Sequence, residues 1–533
     1  YQWVERLTER MSRVSLLISV VGLLLLTEPS ATIRNLPPFF HGRPAAGFRQ
    51  YGDKLAGLTL PDAAGTDPYP WLKRENFTQK LDHFNPADNR TYIQRYWYNP
   101  SFTANKSIAF LLIEGEGIAT DLWVGYDQYQ WLKMAKKHQA DVFQLEHRCF
   151  GYSRPFNDLK VSTLEYCTIE QALEDVKAFI LAINVKYGFD KPRWITFGGS
   201  YPGILSALFR RDYPELTAGA VSSSAPIYFT FDSWEYAVSV EDTLSTVPGC
   251  ADAVKESFSV AQQLSMSLEG RKQLNDLLDL EPAFTESATQ HDIDNLFANL
   301  FAVWQGIVQY TRDGRNDDTK GQLGVNGACS VIKNTIADHP VRRLRNVVKW
   351  FNAFPSNGGD ASALFPNSYD DLIAVLRNET FDDEHGGLDN AANRGWVWLQ
   401  CTQIGAQQTT DQGRNIFGQV LPLNYFIDMC TDGYGEFLTA AEQVKRTDKV
   451  RRKYGMGYDF KATNIVLANG SFDPWHKMGF YESAPANNVT AILIDGTAHC
   501  ADMYPQYDGE PPALAAARSQ IEAAVASFLG EKA

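Results

Sequence analysis

One stretch constrains this chain more than any other: Trp194-Ile195-Thr196-Phe197-Gly198-Gly199-Ser200-Tyr201-Pro202-Gly203-Ile204-Leu205. An apolar, strand-forming run stops at two glycines and a serine, and a helix-forming run begins at once. A turn that tight strains and crowds the backbone, so the serine's neighbours must be small. Gly198 permits the close approach, and Gly203 lets the following helix pack tightly. The spacing departs from G-x-S-x-G because Pro202 holds the second glycine's place. Proline is tolerated in a first helical turn, where its missing N–H leaves no bond unmade. The form is that of a nucleophile elbow, which lifts a serine hydroxyl above the end of a sheet strand.

The surrounding pattern supplies such a sheet. Residues 108–113 are a continuous apolar run, as a buried parallel strand requires, and end in Glu114-Gly115-Glu116-Gly117. Residues 142–145 form a second strand, ending in Glu146-His147-Arg148. Thr168 and Gln171 then read as a capping box, with Leu173, Val176, Ile180 and Ile183 at helical spacing. After the elbow, residues 218–223 are a further strand. The alternation fades between residues 232 and 425, where 251–280, 292–310 and 341–351 read as helices. It resumes with strands at 464–468 and 491–494 and a last helix carrying Leu514, Ala517, Ile521, Val525 and Phe528. The expected architecture is a mostly parallel α/β sheet with helices on both faces. Its core comprises residues 32–231 and 426–533, with a helical insertion over 232–425. Residues 32–70, rich in proline and glycine, read as a pro-segment or an ordered arm.

Ligands gather at the carboxyl ends of strands in such sheets. Three strand ends carry useful chemistry. Ser200 follows one, Asp473 follows 464–468, and His499 follows 491–494. The order Ser, Asp, His is that of the α/β-hydrolase fold. A serine hydroxyl needs a base to take its proton, imidazole can accept and return it, and a buried carboxylate fixes the imidazole tautomer. The Tyr201 N–H is placed for one oxyanion bond, and the Glu114–Gly117 loop, with Gly115, for the second. His147 and His476 compete as base; His147 suits an ion-pair cluster with Glu146 and Arg148, and His476 lies too near Asp473. Asp495 and Asp502 compete as acid but crowd His499 in sequence.

Compartment can be read from the termini and the cysteines. Residues 14–26 are almost wholly apolar after Arg13, and small residues follow. This reads as a secretory signal peptide within residues 1–31, with Met11 as its start and residues 1–10 as a doubtful extension. No stable membrane span is expected after cleavage. Seven cysteines occur without a C-x-x-C, so neither a metal site nor any other cofactor is expected. In an oxidising compartment most should pair. Sequons at Asn76, Asn89, Asn105, Asn378 and Asn488 suit a glycosylated lumenal protein. Asn469 is also a sequon, but it sits in the acid motif and is expected to stay unmodified. The net charge of −14 and the absence of a basic run argue against nucleic acid as a partner.

Further motifs extend the pattern: Phe77-Thr78-Gln79-Lys80-Leu81-Asp82-His83-Phe84-Asn85, Gln94-Arg95-Tyr96, Glu170-Gln171-Ala172-Leu173, and Asn469-Gly470 with Asp473-Pro474-Trp475. With these the chain resembles the family of lysosomal Pro-X carboxypeptidases, dipeptidyl peptidase II and the thymus-specific serine protease. The loop Gly496-Thr497-Ala498-His499-Cys500-Ala501-Asp502-Met503 looks closest to the thymus-specific branch. The resemblance implies an α/β-hydrolase core with a helical cap inserted after the nucleophile half, and Ser200, Asp473 and His499 as the triad. It implies Cys250–Cys329 and Cys401–Cys430 disulfides. A Cys149–Cys167 bridge is expected in addition, leaving Cys500 free.

The resemblance also implies peptide substrates cut near a chain end, after proline or another small apolar residue, in a lysosomal or extracellular setting. A homodimer is compatible with it. Trp475 and Glu116 are the expected pocket residues, with Gln403 where relatives commonly carry glutamate. Glu114 stands where a glycine is usual, and Ile204 replaces a pocket methionine. The expectation is therefore a serine exopeptidase, either carboxypeptidase or dipeptidyl aminopeptidase. The rivals are an esterase on the same fold and a catalytically silent binding protein.

Overall fold

The computed structural model describes residues 36–45, 67–104, 106–311, 323–336, 339–354, 357, 359–381, 387–457 and 459–530. The expected leader and Asn105 lie outside them. An arm before the sheet makes a short antiparallel pair, β1 (Phe39–Phe40) and β2 (Arg43–Pro44). The core strands follow as β3 (Lys73–Lys80), β4 (Thr91–Asn99), β5 (Ile108–Ile113), β6 (Asp141–Leu145), β7 (Arg193–Gly199) and β8 (Gly219–Ser223). Within the insertion, β9 (Leu280–Glu281) pairs with β10 (Phe365–Pro366). The core closes with β11 (Ile465–Gly470) and β12 (Val489–Ile494).

The eight core strands form one sheet in the order β12-β11-β8-β7-β5-β6-β4-β3. β4 runs antiparallel to β3 and β6, and every other pairing is parallel. Every residue of β5, β6, β8 and β11 is buried, which is why they read as unbroken runs. β3 carries no such signal. It is an edge strand of sequence KRENFTQK, largely exposed, and charge on an edge is what blocks further pairing.

Helices α1 (Gln130–His138), α2 (Ile169–Tyr187) and α3 (Tyr201–Asp212) flank this sheet. Thr168 caps α2 through Gln171 N, but the reciprocal half of the expected capping box is missing. The Gln171 side chain instead bonds Asp82 and the His83 N–H, tying the helix to the segment after β3.

Between β8 and β11 lie α4 (Glu235–Ser245), α5 (Cys250–Ser265), α6 (Leu268–Leu278), α7 (Gln290–Gln309), α8 (Val325–Ile332), α9 (Pro340–Asn352), α10 (Tyr369–Arg377), α11 (Gly387–Leu399), α12 (Leu423–Tyr434) and α13 (Ala440–Tyr454). The single helix expected over 251–280 is broken at Ser267, whose side chain caps α6. The expected boundary at residue 425 falls inside α12, and helix persists to Tyr454. The core's last helix is α14 (Pro512–Phe528). Apolar side chains of α1 and α14 share one cluster beneath the sheet, whereas α2, α3 and the inserted helices share the other. The insertion thus packs as a continuation of the upper core.

Disulfides join Cys149–Cys167, Cys250–Cys329 and Cys401–Cys430, and Cys500 is a buried free thiol. Asn76, Asn89 and Asn488 are exposed and Asn378 is half-buried, whereas Asn469 is buried. Among the described residues no helix is long and apolar enough to cross a membrane.

Candidate active site

β7 delivers Ser200 into a sharp turn at φ 63°, ψ −131°, a left-handed setting that a serine adopts only under constraint. The constraint is visible: Ser200 N–H donates to Ser223 O on β8 at 2.8 Å, and Ile204 N–H donates back to Ser200 O at 3.1 Å. Gly198 is required, since a Cβ there would lie 2.2 Å from Pro202 O. Ile204 is buried in α3 and does not line the cavity beside Ser200.

Asp473 opens the one-turn helix Pro474–Met478 after β11. Its fully buried carboxylate accepts from Trp475 N–H through Oδ1 at 3.0 Å and from His499 Nδ1 through Oδ2 at 2.8 Å. With Nδ1 so occupied, Nε2 is the nitrogen left for a substrate proton. Ser200 and His499 line one cavity of about 110 Å³. Burial is the largest influence on the His499 pKa and lowers it, but the charges and hydrogen bonds of Asp473 and Cys500 together outweigh it and hold the imidazole well above its usual value.

The rival residues have other partners. Asp502 accepts from Ser223 Oγ at 2.5 Å, and Asp495 is exposed. The His147 ring bonds Tyr201 OH at 3.1 Å, and burial pushes it down to about 4, so it is neutral. The ion pairs of that segment belong to its neighbours, Glu146 with Arg95 and Arg148 with Asp175. His147 itself is outside them, contrary to expectation.

The Tyr201 N–H sits at the first position of α3, where no intrahelical acceptor exists. Gly115 lies against it: a Cβ on Gly115 would meet Pro202 Cγ at 2.4 Å, so only glycine lets the loop after β5 approach the elbow. Glu114, Gly115, Glu116 and Gly117 all line the cavity.

Two expected pocket residues are elsewhere. Trp475 is buried behind the acid, its ring 4.8 Å from that of Tyr236 and its Nε1 bonded to Gln309 Oε1 at 3.0 Å. The turn that aims Asp473 at His499 sends the tryptophan toward the insertion. Gln403 lies in the π-helical turn Gln400–Ile404 and accepts from Ile169 N–H at 3.3 Å, satisfying a first-turn donor of α2. Neither lines the cavity.

Sequence reasoning missed Gln309, at the C-terminus of α7. Its backbone O accepts from His499 N–H at 3.0 Å. Its amide accepts from Tyr236 OH and Trp475 Nε1 and donates to Gly42 O at 2.8 Å. One buried side chain therefore joins arm, insertion and acid loop. Its neighbour Tyr310 meets the His499 ring edge-on at 5.9 Å and lines the cavity. No motif or spacing marks either residue.

Residues 79–521 match the serine carboxypeptidase S28 family. A Caenorhabditis elegans protein with the provisional name of a serine protease is 45% identical, over 95% of this chain and 94% of that one. The human thymus-specific serine protease is 29% identical over 95% of this chain and 94% of its own. The lysosomal Pro-X carboxypeptidase of Pongo abelii is 26% identical over 83% of this chain and 85% of its own.

Proposed function

The chain belongs to the serine carboxypeptidase S28 family and is a serine peptidase, and from that premise we propose an exopeptidase that works through Ser200, His499 and Asp473. The observation that carries this reading is the buried 2.8 Å bond between His499 Nδ1 and Asp473, in a cavity that also exposes Ser200. Ser200 Oγ attacks the peptide carbonyl while His499 Nε2 takes its proton. The tetrahedral oxyanion is held by the N–H groups of Tyr201 and Gly115. The imidazolium gives its proton to the leaving amine. Water, deprotonated by the same nitrogen, then releases the acyl group from Ser200. Asp473 fixes the tautomer throughout.

Preference for a chain end follows from the roof over the site. Tyr310 of the insertion forms part of the cavity wall, and the arm packs behind it through Gly42. Cleavage after proline or a small apolar residue is the selectivity to test first, given the Pro-X name of one relative. Three disulfides support a lysosomal or extracellular setting. Ser200→Ala should abolish both peptide hydrolysis and labelling by a fluorophosphonate. Normal labelling of that variant would sink the assignment.

A further inference from the structure

The cavity shared by Ser200 and His499 has two carboxylates in its wall, Glu114 and Glu116. Around them stand Trp123, Tyr129, Tyr310 and Tyr504, and no lysine or arginine lines it. We propose that this cavity is a subsite for a positively charged group of the peptide substrate, held by Glu114 and Glu116. The group is either a free α-amine or a lysine or arginine side chain. The proposal rests on the peptidase reading of the same site.

Glu116 is only 5% exposed, yet it lines the cavity, and its carboxylate accepts from its own backbone N–H and faces Arg43. A carboxylate has about four lone-pair sites, so one backbone bond leaves room for a ligand donor. Glu114 is held ready: its Oε1 accepts from Gln144 Nε2 at 2.7 Å, and Gln144 is anchored on Thr120 O at 3.1 Å.

The positive charges around the cavity are unevenly placed. Glu146 and Glu116 both act on Glu114, which makes three carboxylates in one neighbourhood. Facing these three, Arg43 and His499 act on Glu116, and Arg95 lies 3.3 Å from Glu146, which leaves Glu114 as the one carboxylate of the three with no cation against it. No cation among the described residues pairs with Glu114. Burial first, and then the charge of Glu146, push its carboxyl up to about 8. An ammonium in the cavity would relieve that repulsion and restore the carboxylate. The aromatic faces favour the same ligand, because a ring quadrupole attracts a cation. A substrate carboxylate would instead add like charge beside Glu114 and Glu116, in a wall whose cation, His499, is already paired with Asp473.

The test uses the full-length enzyme and matched peptide pairs, lysine against norleucine near the scissile bond, and a free amino end against an acetylated one. The readout is the ratio of kcat/KM for the charged member to that of the neutral one. One wild-type pair should show a ratio above about ten, and Glu114→Gln should lower that ratio about tenfold. The pair that responds tells amine from side chain. A ratio of one or less in every wild-type pair, or one unmoved by Glu114→Gln, overturns the proposal. A second measurement needs neither turnover nor a variant: calorimetric binding of n-pentylamine against n-pentanol to wild-type protein. The amine should bind about tenfold more tightly, and equal binding overturns the subsite. Absence of all hydrolysis with no fluorophosphonate labelling would count against the peptidase reading instead, and the binding comparison would still decide the subsite.

Discussion

Two regions hold His499, and they do it by different means. The core holds it locally: Asp473 stands at the head of a short turn, its carboxylate fixed by Trp475 N–H two residues on. The insertion holds it at long range, through Gln309, 190 positions before the histidine and bonded to its N–H. The first is chemistry that a motif can carry. The second is geometry that only the folded chain contains. The contrast separates what makes the imidazole a base from what keeps it where a base is needed.

Removing the local partner should cost most. Asp473→Asn keeps the shape but removes the charge that stabilises the imidazolium, and it invites the wrong tautomer. The expected loss in kcat is about 10⁴-fold, measured by steady-state hydrolysis, with fluorophosphonate labelling of Ser200 greatly slowed. A loss under about tenfold would mean that the carboxylate does not govern His499, and the contrast between the regions would collapse.

Removing the distant partner should cost less and cost it differently. Gln309→Leu keeps the backbone carbonyl that accepts from His499 N–H but loosens its support, leaving the Trp475 and Tyr236 donors and the Gly42 carbonyl without the Gln309 amide. Each such group costs about 1–3 kcal/mol, so the melting temperature should fall. Displacement of the His499 loop by about 1 Å should lower kcat about 10²-fold. A variant that loses stability at unchanged kcat would reduce Gln309 to a packing residue.

The same division explains what the sequence disclosed. Ser200 and Asp473 follow strands buried on both faces, which is what makes a strand visible as an apolar run, and His499 follows the half-buried edge strand β12, whose run over residues 491–494 is apolar all the same. β3 and β4 were silent because an edge hairpin carries polar residues on its open side. Gln403 and Trp475 stand outside the wall of the Ser200 cavity for another reason. A π-helical turn and a one-turn helix rotate side chains by amounts that periodicity does not encode. Gln309 and Glu114 act through partners far along the chain or around a cavity wall, so no local spacing could announce them.

The smallest effect tests which region sets the base. Burial, deepened by the insertion, lowers the affinity of His499 for its proton, whereas Asp473, joined by Cys500, raises it, and the sum prevails. A protonated imidazole cannot accept the Ser200 proton, so kcat/KM for an uncharged peptide should fall as pH drops through the His499 pKa. That limb should be centred above 6.5 and decline about tenfold per pH unit below it. Stability should move the other way. The folded chain binds this proton more tightly than the unfolded chain does, so the ion pair contributes fully below about pH 6.5. The contribution is lost as pH rises through the folded value. Glu114 also titrates in the cavity, near 8, but a neutral substrate does not call on its charge. An acid limb centred below 6.5 would show that burial under the insertion, and not the carboxylate of the core, decides the protonation of His499.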